Sequence, residues 1–388
     1  MAVIRSGVQY SGKWNLQTQG QAVGANTWTG IATSELWTWG RGNNGVLGLG
    51  NTDSYSSPVQ VGGIIWSKIA AGSTHAVSVK TDGTIWTWGQ NNYGQLGYTR
   101  GYTSQSTPVQ VGALTTWLNA SAGVNNTLAV KTDGTLWGWG RNSQGQLGQG
   151  NTTNYSSPVQ VGSLTTWSKV SSGSYHTLAI KTDGTLWTWG YNQKGQLGDG
   201  TTTFRSSPVQ IGALTTWLEV AGGYYSSMAI KTDGTVWGWG QNNSGQLGDG
   251  TTTDRSSPVQ VGALTTWSKI STGQFSEYAI KTDGTLWAWG DGGQGQLGVG
   301  NQSSYSSPVQ VGSLTTWSAV TGGDTHALSI TTGGALYAWG YNLDGQLGDG
   351  TTIRRLSPVQ VGALTTWSAL AKQQANIRGS FVLIAGTT

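Results

Sequence analysis

The chain has 388 residues, of which 63 are glycine and 22 tryptophan, with no cysteine, 9% charged residues and a formal net charge of +4. That length exceeds what one hydrophobic core usually serves, which leaves several domains or a repeat array whose units pack only on their neighbours. The absence of cysteine excludes disulfides and thiolate metal sites, and cations dispersed one or two per repeat exclude the converging basic stripe that a phosphate backbone requires, so nucleic acid is not an expected partner.

Residues 1–30 read as an N-terminal lead-in. They include Arg5 and Lys13 but no apolar run of the kind that drives export, and nowhere do about eighteen apolar residues follow one another, so no membrane span is expected. Cysteine usage leaves the compartment open.

From Leu36 onward the chain is periodic. Trp-Gly recurs at Trp39, Trp88, Trp139, Trp189, Trp239, Trp289 and Trp339, and all seven prolines keep the same register, from Pro58 to Pro358. A period of about fifty residues signals a solenoid, propeller or array. Leu36 to Val61 supplies the last two strands of a unit. Each complete unit then carries four short extended segments, as in Trp167 to Val170, Thr177 to Lys181, Leu186 to Gly190 and Pro208 to Ile211. Four strands per repeat describe a propeller blade. Asp183-Gly184 supplies the tight hairpin between the second and third, and the proline, opening the fourth, suits an outer edge. In the third strand Trp187 and Trp189 share one face and Thr188 takes the other, so a large indole pair fills the gap toward the next blade. At the far end Val361 to Trp367 and Ser380 to Ala385 offer two further strands.

The fold expected is therefore all-β: a seven-bladed β-propeller over 31–388 with four-stranded antiparallel blades, closed by one blade shared between 36–61 and 367–385. A rival register makes Trp14 to Thr33 the first two strands and leaves the C-terminal pair surplus.

The run Gly190-Tyr191-Asn192-Gln193-Lys194-Gly195-Gln196-Leu197-Gly198-Asp199-Gly200, followed by Pro208, Gly223 and Thr232-Asp233-Gly234, resembles the regulator of chromosome condensation repeat family. The resemblance covers residues 36 to 371. It implies a seven-bladed propeller and roles carried by protein contacts, among them guanine nucleotide exchange on a small GTPase and inhibition of β-lactamases. His75, His176 and His326 fit a position where the family often carries histidine, whereas Asn126, Ser226 and Ser276 replace it in other repeats. The protruding insertion and basic N-terminal tail of the exchange factor have no counterpart here. The segment Ser11 to Ala22 resembles segments of tailed-phage structural proteins.

Chemistry of a catalytic kind is not expected. Three histidines in separate repeats form no nucleophile, base and orienter set. Two Gly-x-Gly-x-x-Gly strings, Gly40 to Gly45 and Gly290 to Gly295, arise where Gly42 and Gly292 replace asparagine, and no helix follows either. Asp199, Asp249 and Asp349 lie in turns that lack the alternating oxygens of a calcium loop. No cofactor, metal or catalytic residue is assigned.

Internal comparison points to a binding face. Lys-Thr-Asp-Gly and Val-Gly-Ala-Leu-Thr-Thr loops are nearly invariant between repeats and share one face through strand alternation. The opposite face varies, with Asn125, Asn126, Tyr175, His176, Tyr224, Tyr225, Phe275 and His326 in the first hairpins, and Tyr102, Tyr155, Arg205, Arg255, Tyr305 and Arg355 between third and fourth strands. Tyrosine and arginine are enriched at binding hot spots. The expected function is a non-catalytic binding or structural propeller on a virion or cell exterior that engages protein or glycan through this face. The alternative is a regulatory interaction module resembling an exchange factor or an enzyme inhibitor.

Overall fold

The computed structural model describes residues 34–63, 65–98, 101–373 and 377–384. Seven sheets form a ring of blades. The third blade is typical: Trp167–Ser172, His176–Lys181, Leu186–Gly190 and Arg205–Gln210 pair antiparallel in that order. Complete blades follow the same plan from Trp66, Trp117, Trp167, Trp217, Trp267 and Trp317. Among the described residues the helical content is one turn, Asn43–Gly45, so no described helix is long and apolar enough to cross a membrane.

The seventh sheet takes strands from both ends of the described chain. Tyr55–Val61 and Glu35–Gly40 pair with Gly379–Ile384 and Trp367–Leu370, with Leu36 opposite Leu383 and Trp39 opposite Ser380. Both free edges of an open array are thereby paired within one blade. The short strand Lys372–Gln373 then runs parallel to the inner strand Trp66–Ala71 of the first blade. The lead-in, and with it the rival register through Trp14 to Thr33, lies outside the described residues.

The seams explain the tryptophan count. Trp189 is fully buried and packs on Leu128, Val130, Leu136 and Val161 of the preceding blade. Its indole Nε1 donates to the Gln146 carbonyl of that blade at 2.9 Å. The bulk therefore fills the gap beside the predecessor, while the sequence reading placed it against the following blade. Trp139, Trp239, Trp289 and Trp339 donate in the same way to Gln95, Gln196, Gln246 and Gln296. The ring closes with the same bond, from Trp39 to Gln346 at 2.9 Å, and from Trp88 to Val46 at 2.8 Å. Trp187 is only half buried; the Lys181 ammonium lies 3.6 Å from its ring centre, and Trp167 meets both indoles edge-on.

Two glycines per unit are dictated by this packing. Gly198 has φ +75°, and a Cβ there would come within 2.8 Å of the Trp239 nitrogen of the next blade. Gly190, at φ +106°, would meet the Tyr175 carbonyl at 2.6 Å. The proline does not open the outer strand. Pro208 is its fourth residue and sits where the register jumps between Thr188–Val209 and Gly190–Arg205. A bulge on an edge strand is a place where the missing N–H costs no ladder bond.

Candidate functional site

Strand alternation places the first hairpin and the loop between third and fourth strands of every blade on one face, around one mouth of the central channel. The sequence assigned Asn126, His176 and His326, which open second strands, to that surface, and the structure moves them inside. His176 and His326 are fully buried and Asn126 is 1% exposed. The histidines reach across the seam to the next blade, whereas the Asn126 amide is buried without a partner among the described residues. His75 meets Thr127 at 2.9 Å, His176 meets Ser227 at 2.9 Å and His326 meets Ser380 at 3.0 Å. Each hydroxyl donates in turn to the glutamine carbonyl that also holds the tryptophan, as Ser227 does to Gln196 and Ser380 to Gln346. Burial pushes all three imidazoles down to about 3, so they are neutral at pH 7.

Where Ser226 and Ser276 replace the histidine the partner changes as well, while opposite Asn126 the threonine remains, Thr177 donating to Gln146 at 2.9 Å. Ser226 is too short to span the seam, and the next blade supplies Glu277, whose Oε1 accepts from Ser226 Oγ at 2.6 Å. Burial holds that carboxyl well above its ordinary value. At the following seam Ala327 offers no hydroxyl, and the Tyr278 phenol reaches over to donate to Gln296 at 2.7 Å while contacting Ser276.

The loop tyrosines and arginines also have internal partners. Arg205, Arg255 and Arg355 each grip a nearly buried carboxylate of their own loop, Asp199, Asp249 and Asp349, through Nε at 2.9 Å and through a second nitrogen. Burial raises these carboxyls, but threonine hydroxyls and the arginines outweigh it and bring them below the usual range. Tyr155 and Tyr305 accept from Asn151 and Asn301 at 3.0 Å. Apart from the first blade, which carries Tyr98 and Gln105 there, the loops thus come in two matched versions, Asp with Arg or Asn with Tyr. Tyr102 is 61% exposed, and Asn125 accepts from Thr74 and Gln95. Both Gly-x-Gly-x-x-Gly strings lack a following α-helix; at Gly42 and Gly292 the loop backbone occupies the space of the asparagine side chain, within 1.8 and 1.9 Å of a would-be Cβ.

What remains on the face is aromatic. Tyr175, Tyr224, Tyr225 and Phe275, all picked from the sequence, form one contact group with Tyr191 and Phe204, which the candidate set omitted. Tyr224 lies 4.2 Å from Tyr225, 6.3 Å from Tyr175 and 5.6 Å from Phe275, measured between ring centres. Tyr191 lies 4.8 Å from Phe204 and 5.3 Å from Tyr225. Arg141 extends the group, its guanidinium 5.1 Å from the Tyr93 ring and 5.7 Å from that of Tyr175. Arg141 and Tyr191 follow Trp-Gly directly, a position that varies as Arg41, Gln90, Arg141, Tyr191, Gln241, Asp291 and Tyr341. That variation was the signal available for finding them.

Across the channel mouth from this group lies a cavity of about 470 Å³ lined by Arg41, Thr74, Gln274, Asp324, Thr325 and Arg378. Arg378 binds Asp324 at 2.9 Å and approaches Asp344 at 3.7 Å, tying the closing blade to its predecessor. No group of three or more His, Asp or Glu among the described residues is placed to hold a metal. The opposite face is a regular ring, where Leu114, Leu164, Leu214, Leu264 and Leu314 are 41–51% exposed.

The sequence profile of the RCC1-like domain matches residues 35–383. Among curated proteins the chain is similar to the ultraviolet-B receptor UVR8 of Arabidopsis thaliana, 33% identical over 122 residues, which is 30% of this chain and 28% of that protein. It is also similar to the E3 ubiquitin-protein ligase HERC2 of Homo sapiens, 28% identical over 132 residues, or 31% of this chain and 3% of that one. The matches thus span under a third of either relative's length. Among solved structures, human WBSCR16 superposes with a TM-score of 0.82 at 22% identity, covering 92% of this chain and 100% of that one. The structure of Kap60 bound to yeast RCC1 (Prp20) gives 0.80 at 18% identity, covering 100% of this chain and 97% of that one. At these identities the likeness is one of fold.

Proposed function

Since the chain belongs to the RCC1-like domain family, we propose that it is a non-catalytic protein-binding propeller whose working surface is the face carrying the aromatic group. The observation that carries this reading is the contrast between faces. His176, His326, Arg205, Arg255, Arg355 and the aspartates facing those arginines are consumed by internal pairing, whereas Tyr175, Tyr191, Phe204, Tyr224, Tyr225 and Phe275 stay half exposed in mutual contact. Large rigid aromatics in a contiguous patch are what protein interfaces use for anchoring. A family neighbour, Prp20p from Saccharomyces cerevisiae, is described with binding to Gsp1p and histones, which supports protein rather than glycan as the class of partner. Neither the seam histidines nor the buried Ser226–Glu277 pair is reachable by a substrate, so no enzyme activity is proposed.

A placement on a virion or cell exterior is part of the proposal, supported by the scarcity of charge and by a surface rich in serine, threonine and asparagine. Replacing Tyr175, Tyr225 and Phe275 together by alanine is expected to abolish capture of protein partners by the immobilised chain. Replacing Leu114, Leu164 and Leu214 by serine on the other face is expected to leave it intact. Equal loss from both sets contradicts the assignment. Exchange activity is the second reading, and accelerated nucleotide release from a purified small GTPase would establish it.

A further inference from the structure

The aromatic group is a row with a charge at each end. Starting from Arg141, the chain of contacts runs through Tyr175 and Tyr224 to Phe275, with steps of 5.7, 6.3 and 5.6 Å. Asp291 terminates it, its N–H donating to the Phe275 carbonyl at 2.8 Å. Arg141 donates to Ser143 and lies over two tyrosine rings, and no carboxylate lies within ion-pair distance of it among the described residues. Asp291 accepts from Gly293, Gln296 and Ser304, and no described cation pairs with it. In three loops of this face arginine and aspartate neutralise one another. Arg141 and Asp291 stand outside such pairs and bracket the apolar row.

We infer that this row is a docking groove for an extended, proline- and aromatic-rich segment of a protein partner, with a carboxylate of the segment at Arg141 and a basic group at Asp291. The inference deepens the protein-binding reading above and rests on it. Ring spacing matches the occupant, because alternate residues of an extended or polyproline II chain advance roughly 6 to 7 Å. Such a segment leaves its own carbonyls unpaired, and phenols meet that need. Burial pushes the Tyr175 and Tyr225 phenols up, which keeps them protonated as donors. Charge complementarity at the two ends sets which segments dock and holds them in register.

Three fluorescent decapeptides with blocked termini and one shared Pro-Tyr-Pro-Leu-Pro core test this, with glutamate at one end and lysine at the other, glutamate at both, or lysine at both. Polarisation titrations should give the mixed peptide about fivefold tighter binding than either of the others, the worth of one exposed charge pair. Arg141→Glu should transfer the preference to the lysine-ended peptide and Asp291→Lys to the glutamate-ended one. Tyr225→Ala should weaken all three about tenfold. Because Asp291 also holds Gly293, Gln296 and Ser304, unchanged melting curves must accompany both reversals for their binding to count. Equal affinity for the three peptides, no binding by any, or an order indifferent to both reversals overturns the inference, as does aromatic-dependent capture of glycans without charge preference. If the triple alanine variant loses whole-protein partners while both reversals retain them, the face is correct and this occupant is wrong.

Discussion

Installing a histidine–threonine pair by the double substitution S226H/E277T tests the seam chemistry where it departs furthest from its neighbours. Glu277 is 1% exposed, accepts one hydrogen bond, from Ser226 at 2.6 Å, and its second oxygen has no partner. A buried unpaired oxygen costs about 1–3 kcal/mol. Burial also raises the carboxyl well above its ordinary value. The native state therefore holds a proton that the unfolded state releases above the ordinary glutamate range. Stability from this group falls as pH rises through that window, by about 1.4 kcal/mol per unit until the folded carboxyl ionises. A threonine at position 277 can instead donate to Gln246, as Thr177 does to Gln146 at 2.9 Å, and an imidazole at position 226 can span the seam as His176 does. Urea unfolding followed by tryptophan fluorescence should show the double variant about 2 kcal/mol more stable at pH 7. The gain should grow with rising pH and shrink below pH 6.5, where the new buried imidazole favours unfolding. Each single variant should be less stable than the double, E277T because it strands Ser226 and S226H because it crowds the carboxyl. A double variant no more stable than its parent, or a gain independent of pH, refutes the reasoning.

Three further outcomes are expected. His75, His176 and His326 hold folded values near 3 against about 6.5 unfolded, so the unfolded state binds more protons between those limits. Stability should fall as the pH drops through that window, with a limiting slope of about 1.4 kcal/mol per unit for each histidine, opposed by Glu277 and Asp324, whose carboxyls burial raises; a urea midpoint unchanged between pH 6.5 and 4.5 contradicts it. Trp189→Ala removes a fully buried indole and its bond to Gln146 and should cost about 3–5 kcal/mol in the same assay; a loss below about 1 kcal/mol would mean the seam does not depend on it. Arg255→Ala leaves Asp249, 4% exposed, without its clamp. The loop from 249 to 255 should then lose protection from hydrogen exchange while the strands keep theirs.

The ring was legible because its determinants repeat. Indole pairs, Asp-Gly hairpins and one proline per unit each recur at a fixed offset, so every copy confirmed the others. Asn126, His176 and His326 were misplaced because a variable residue beside a hairpin looks like surface, yet each opens a strand whose alternation turns it inward. The correlation that reveals it lies across units, His176 with Ser227 and Ser226 with Glu277, about fifty residues apart. Arg205, Arg255 and Arg355 looked like free anchors for the same reason. The aspartate six residues earlier changes with them, and only the pair shows that each arginine is spoken for. Tyr175, Tyr225 and Phe275 of the aromatic group were singled out from the sequence, whereas Arg141, Tyr191 and Asp291 were not, since the Trp-Gly motif beside them drew the reading to the core.

Closure by both chain ends is the claim on which the seams, the channel mouth and the binding face all depend. Its most direct test is the urea midpoint of a chain ending at residue 366, measured alone and with a peptide spanning 367–388 added in trans. Trp39 and Leu36 then lose Ser380 and Leu383 as strand partners, so the truncated chain should unfold at much lower denaturant and regain most of its stability with the peptide. A midpoint unchanged by truncation, or untouched by saturating peptide, would contradict a ring shut in this way.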